Sequence, residues 1–317
     1  MTEQATGALS KLIMGFESTF GTLAADGFEL PIIKSTLKAT RNKTSSAVLR
    51  GDYNPVKPTG GNYTVAGQIT VPLDSVAVWY WLKAAFNSLV TTGASPYVHT
   101  FKMTGITKRG SISIEHQYLD LATPKYFQYT GCKISSISGS VGGEGELLLN
   151  LDIVGSARTI ASASFDAAPD VITLSPLDNT HTTIKEGGAS FADSDDWSFN
   201  VGWNPDTSKY LIGGGGKLGT IPDGIMKVGG TNNFLFKDTV LLEKAINSTE
   251  TSLEITATKA ADSKIVLLFP EAQYNETDPG IDGPQGIAIG LEWLGYYDNA
   301  TEASSVVVTV TNAEAHA

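Results

Sequence analysis

"GNYTVAGQITVPLD" (Gly61–Asp74) and "GIMKVGGTNNFLFKD" (Gly224–Asp238) are one phrase written twice. Gly51, Gly61, Val65, Gly67, Val71 and Leu73 have counterparts 163 positions on, in Gly214, Gly224, Val228, Gly230, Phe234 and Phe236. One inserted residue then aligns Asp74 with Asp238 and Val76 with Val240. A second echo follows in the same order, where "LNLDIVG" (Leu149–Gly155) matches "IGLEWLG" (Ile289–Gly295). Two ordered echoes predict a tandem duplication with a boundary near residue 163. The expected domains are therefore 1–162, with an N-terminal arm, and 163–317.

Around these phrases the chain reads as mainly β. "LEITAT" (Leu253–Thr258) and "SISIEH" (Ser111–His116) alternate apolar and polar side chains, as half-buried strands do. "KIVLLFP", "SSVVVTVT" and "GELLLNLDIV" are apolar or β-branched runs bounded by breakers. Turn chemistry lies between, at Lys57–Gly61, Gly142–Gly145 and Asp278–Gly286. One helix is expected in each half, capped by Asp74 or Ser75 before "SVAVWYWLKAAFN" and by Asp238 before "TVLLEKAIN". The first is apolar nearly all round, which predicts burial on several sides. No repeat of 20–50 residues is present, which argues against a solenoid or propeller.

Composition narrows the function. A chain of 317 residues has room for two cores, and 41% apolar with 17% charged residues is neither disordered nor membrane-spanning in character. The N-terminus has no basic start or sustained apolar core, so no secretory signal is expected. One cysteine, Cys132, leaves no internal disulfide and suits synthesis in a reducing cytoplasm. The net charge of −11 is unevenly spread, +3 over residues 1–162 and −14 over 163–317. That imbalance argues against uniform nucleic-acid binding, which needs a basic footprint.

No catalytic constellation emerges, and no cofactor is expected. His99, His116, His181 and His316 lack metal-ligand spacing, and Cys132 in "YTGCKISS" reads as a small core residue. "GGGGKL" (Gly213–Leu218) has the glycines and lysine of a phosphate loop but no Ser or Thr after the lysine, so it reads as a flexible loop. "DSDDW" (Asp193–Trp197) has Ser198 and Asn204 where a calcium loop needs Gly and Glu, and reads as an acidic surface turn. Five N-x-S/T triplets, at Asn42, Asn62, Asn247, Asn275 and Asn299, read as products of a Thr-rich composition. What stands out is a basic stretch, with Lys34, Lys38, Arg41, Lys43, Arg50 and Lys57 set against the single acid Asp52. It is the candidate inter-subunit docking segment. Along with Met1–Ala25 its composition predicts little core of its own.

The second half resembles the tail tube proteins of long-tailed bacteriophages. The likeness runs through "DDWSFNVGWNPDTSKYLIGGGGKLGTIPDGIMKVGGTNNFLFKDTVLLEKAI", then "SLEITATKAADSKIVLLFPEAQY", "GIAIGLEWLGYYD" and "SSVVVTVTNA". Its landmarks fall on Val228, Gly230, Asp238, Pro270 and Asn312, and "MGFESTFGTLA" (Met14–Ala24) resembles the opening of such proteins. The first copy matches less closely, with a longer stretch between its helix and last strands.

The resemblance implies two tandem β-sandwich or barrel domains, each flanked by one short α-helix. It implies self-association into rings stacked as a tube, here trimeric pseudo-hexameric rings, since each chain carries two copies. Implied partners are the tape measure, tail terminator and distal tail proteins, with viral DNA passing through unbound and no membrane involved. The protein would act in the virion tail after synthesis in the bacterial host cytoplasm. The alternatives are a carbohydrate-binding or adhesin-type β-sandwich, which would call for a secretory signal or aromatic platform, and a hydrolase, which would call for an acid, base or metal cluster.

Overall fold

A computed structural model describes residues 4–281, 283–298 and 301–316; Met1–Glu3 of the N-terminal arm and the triplet residue Asn299 lie outside the described residues. The first half runs β1 (Ser10–Phe16), β2 (Lys38–Thr44), β3 (Thr59–Pro72), α1 (Val78–Ala85), β4 (Ser88–Thr92), β5 (Tyr97–Lys102), β6 (Ile112–Tyr118), β7 (Lys125–Val141), β8 (Leu148–Gly155) and β9 (Ala157–Ala161). The second runs β10 (Thr182–Glu186), β11 (Ser194–Gly202), β12 (Lys227–Leu235), α2 (Val240–Ile246), β13 (Thr251–Ala260), β14 (Ser263–Tyr274), β15 (Ala288–Gly295) and β16 (Val307–Asn312). The chain is mainly β, and α1 and α2 are the two α-helices among the described residues.

Pairing follows the echo. Val65 faces Gly155 and Val71 faces Leu149, while Val228 faces Gly295 and Phe234 faces Ile289. The two strand pairs, β3–β8 and β12–β15, therefore share one register. The agreement extends outward, with Ala39 opposite Val65 as Val201 is opposite Val228. Ile134 is likewise opposite Ile153 as Tyr274 is opposite Trp293. Even a register shift recurs, between Ile112 and Ile114 on β6 and between Thr251 and Leu253 on β13. Glycine sits where these ladders leave no room. A Cβ at Gly67 would lie 2.4 Å from Leu37 Cα, and one at Gly230 would lie 2.8 Å from the Ser198 carbonyl carbon.

Side by side, these units make one antiparallel sheet in the order β2–β3–β8–β7–β11–β12–β15–β14. Its apolar face buries Val65, Ile69, Leu149, Leu151, Phe199, Val228 and Trp293. Alternation puts Gln68, Thr70, Asn150, Asp152, Ser138, Asn200, Thr231 and Glu292 on the opposite face. β7 and β14 are long enough to bend out of this sheet and join others. The first half of β7 belongs to β1–β6–β7–β9, and the first half of β14 to β10–β13–β14–β16–β5–β4. The β4–β5 hairpin, from the first half of the chain, thus extends a sheet of the second.

A single apolar core runs through both halves. α1 lies within it, with Val78, Trp79, Tyr80, Trp81, Leu82, Ala84 and Ala85 buried. Val78, Leu82 and Phe86 line one small apolar cavity together with Leu149, Ile137, Ile265, Leu267 and Val308. The helix starts later than its capping residue predicts. Asp74 Oδ1 accepts from the Val76 and Ala77 amides at 2.6 Å, and its other oxygen accepts from Ser175 N, so Asp74 holds a turn ahead of the helix. The N-terminal arm also departs from expectation. Leu12, Ile13 and Met14 on β1 are at most 1% exposed, so this arm supplies core. "DSDDW" is strand, not turn: it opens β11 and buries Trp197 while Asp195 and Asp196 stay exposed. Cys132 is buried, and burial, reinforced by the Glu17 charge, pushes its thiol well above the ordinary range.

Candidate assembly surfaces

The six bases of the candidate docking segment are all exposed, but they do not form one cluster. Lys34 lies in a two-residue strand ahead of β2, and Lys38, Arg41 and Lys43 lie on β2 itself. Among the described residues this outermost strand ladders only to β3. Arg41 is held by its Nε bond to Gly61 O, 2.8 Å, and stacks 4.8 Å over the Tyr63 ring. Arg50 pairs with Asp52 at 3.0 Å in the loop between β2 and β3, and Lys57 stands at the foot of β3. That loop also exposes Val48, Leu49 and Tyr53, the last two almost fully.

The opposite border of the sheet is acidic. β14 ladders to β15 through Tyr274, and Asn275 N donates to Glu292 O at 2.8 Å. From Glu276 to Gly280 the backbone joins no ladder, and Glu276, Thr277 and Asp278 are exposed. The basic border belongs to the half with net charge +3 and the acidic border to the half with −14.

The halves are joined inside the chain by contacts that no local motif announces. β11 pairs with β7 from Trp197 opposite Val141 to Gly202 opposite Ser136. The excursion between β11 and β12 then crosses to the first half. Gly216 O accepts from Tyr63 N at 2.7 Å, Leu218 O accepts from Ser156 Oγ at 2.5 Å, and Asp223 meets Arg109. The "GGGGKL" segment is thus tied to the first half at Gly216 and Leu218. Arg109 is fully buried; Nη2 donates to Asp223 at 2.5 Å, Nη1 donates to Ala85 O and Ile134 O, and the guanidinium lies 4.6 Å over Trp203. Burial pulls the Asp223 carboxyl upward, but the hydrogen bonds and charge of Arg109, with Lys133 at 3.3 Å, outweigh it and hold the group below its ordinary value. A second buried acid, Glu115, accepts from Gln117, Gln128, Ser164 Oγ and the Phe165 amide, which fixes the start of the link between halves.

The polar face of the sheet carries one carboxylate from each half at matching positions, Asp152 and Glu292, each two residues past the paired positions Asn150 and Gly290, and it also carries Lys34 and Lys38 opposite Thr70 and Ala66. Asp152 accepts from Gln68 Nε2 and Ser136 Oγ, while Glu292 is exposed. Among the described residues no group of three or more His, Cys, Asp or Glu side chains is arranged to hold a metal ion. His99 and His316 come within 5.1 Å of each other, ring to ring, packed around Trp79 in the core. Among the described residues no helix is long and apolar enough to cross a membrane.

A family profile described as phage tail tube protein matches residues 7–295. The chain belongs to the phage tail tube protein family. The match spans both copies of the repeated phrase, including the first half, where the sequence likeness was weaker. This tail tube protein is therefore a structural component of the virion tail. Comparison with curated proteins gave no match.

Proposed function

We propose that this tail tube protein is two tail-tube domains in tandem, residues 1–162 and 163–317, and that three chains close a pseudo-sixfold ring. The observation that carries this reading is the shared register of β3–β8 and β12–β15, set side by side in one continuous sheet. A sheet built from two equivalent units with unlike free borders is a head-to-tail element, and head-to-tail contacts close rings when the rotation allows.

In such a ring the Ser-, Thr-, Asn- and Gln-rich face lines the channel, because the other face is occupied by the core. Asp152 and Glu292 would add alternating carboxylates around the bore. Lys34 and Lys38, opposite Thr70 and Ala66, share this face with those carboxylates, so the wall is mixed in sign rather than a basic footprint that would hold a genome. Rings stack into the tube, joined at its ends and interior by other tail proteins, after synthesis in the host cytoplasm. Basic docking residues Lys34, Lys38, Arg41, Lys43, Arg50 and Lys57 meet acidic surface on the next chain. Negative-stain images of the purified protein test the reading. Rings or tubes are expected, and persistently monomeric protein across salt and concentration would overturn it.

A further inference from the structure

The joint between halves supplies a template for the joint between chains. Inside the chain, Asn200 faces Ser138, Val201 faces Ile137 and Gly202 faces Ser136, and Trp203 N donates to Ser135 O at 2.9 Å. The outer strand β2 holds the position in the first half that β11 holds in the second, because Ala39 faces Val65 as Val201 faces Val228. The end of β14 likewise holds the position of β7, because Tyr274 faces Trp293 as Ile134 faces Ile153. What each border lacks is its partner.

We propose that Lys38–Arg41 of one chain pairs antiparallel with Asn275–Asp278 of a neighbouring copy, in the register that joins Asn200–Trp203 to Ser135–Ser138 within the chain. The inference rests on the ring reading above. An open strand edge with free N–H and C=O groups accepts another strand, and its side chains decide which. In this register Lys38 stands opposite Asp278, Ala39 opposite Thr277 and Thr40 opposite Glu276. Lys38, Glu276 and Asp278 are exposed and take part in no salt bridge among the described residues. Opposite charges directly across a ladder favour this pairing, whereas two basic borders would repel. Pro279 has no N–H to give, so the new ladder stops at Asp278.

The loop between β2 and β3 completes the parallel. Its counterpart between β11 and β12 lies across the first half through Gly216, Leu218 and Asp223. In the first half the same excursion is free, with Val48 66%, Leu49 97% and Tyr53 108% exposed. In the ring it lies across the acidic second half of the neighbour.

Engineered cysteines at Ala39 and Thr277 test the register. Directly opposed strand residues have Cα atoms about 4.5–5.5 Å apart, within disulfide reach. Cys132, the one native cysteine, is buried and does not compete. Oxidation of assembled Ala39→Cys/Thr277→Cys protein should give covalent species up to trimers, roughly tenfold above an Ala39→Cys/Glu292→Cys control. Tubes with no excess cross-link would overturn the joint while leaving the ring reading intact; wild-type protein that forms neither rings nor tubes would overturn the ring reading itself. Should the double variant not assemble, hydrogen exchange on the wild type decides. Amides of Glu276–Asp278 should become protected in tubes relative to free subunits, and unchanged exchange there would overturn the proposal.

Discussion

Gly139 lies directly opposite Phe199 in the ladder that joins the two halves, and a Cβ built on it would sit 3.0 Å from Phe199 Cζ and 3.1 Å from the Leu148 carbonyl oxygen. Leu148 O is fixed in β8, so a side chain at position 139 must press on the buried Phe199 ring. Gly139→Val should cost about 1–3 kcal/mol through overpacking. Urea denaturation of the subunit measures it, and an unchanged midpoint would show that the ladder is looser than described.

The Arg109–Asp223 pair ties the halves together from within. Asp223→Ala leaves a buried guanidinium without its counter-charge and should destabilise by about 3–5 kcal/mol. Because the Asp223 carboxyl is held below its ordinary value, its contribution is present above pH about 4 and fades as the pH falls through the lowered pKa. Thermal melts of wild type and variant at pH 7 and pH 3 check both statements. The gap between them should shrink at the lower pH.

His116, facing Ser35 at 3.1 Å and the Tyr129 ring at 5.4 Å, is pushed by burial from 6.5 down to about 4. Between these values the unfolded chain binds the proton and the folded chain does not. Stability therefore falls as the pH falls from 6.5 towards 4, by about 2 kcal/mol between pH 7 and pH 5 from this group. His116→Gln should remove that part of the slope. An identical pH dependence in the variant would contradict the assignment.

Charge reversal on the outer strand separates assembly from folding. Lys38→Glu, Arg41→Glu and Lys43→Glu together should slow tube formation at low salt and leave the melting temperature of the subunit nearly unchanged. Exposed pairs are each worth about 0–1 kcal/mol, so the effect appears in rate and selectivity rather than in total cohesion. Light scattering during assembly reads it, and unimpaired growth at low salt would count against the basic border.

Much of the architecture was legible because it depends on local patterns. The alternation of Leu253–Thr258 places a strand, and the echo of Val65 with Val228 anticipates the matched registers of β3 and β12. The misreadings have physical causes. Consecutive aspartates at Asp195 and Asp196 signal a turn, yet a shift of register between Ser194 and Asp196 leaves both exposed on a strand while Trp197 anchors its buried face. Leu12–Met14 is too short a run to announce core, but β6 provides a ladder for it. The joints were invisible for a different reason. Tyr97–Lys102 finds Val307–Asn312, and Arg109 finds Asp223, across separations that no periodicity encodes. Of the six bases, the sequence showed their density but not that Lys38, Arg41 and Lys43 share one unpartnered edge.

The stoichiometry of the ring tests the central claim most directly. Native mass spectrometry of single rings, released from tubes or trapped before stacking, counts the chains. Two tube domains per chain predict three chains in a ring of sixfold outline. Six chains in that ring would contradict the account.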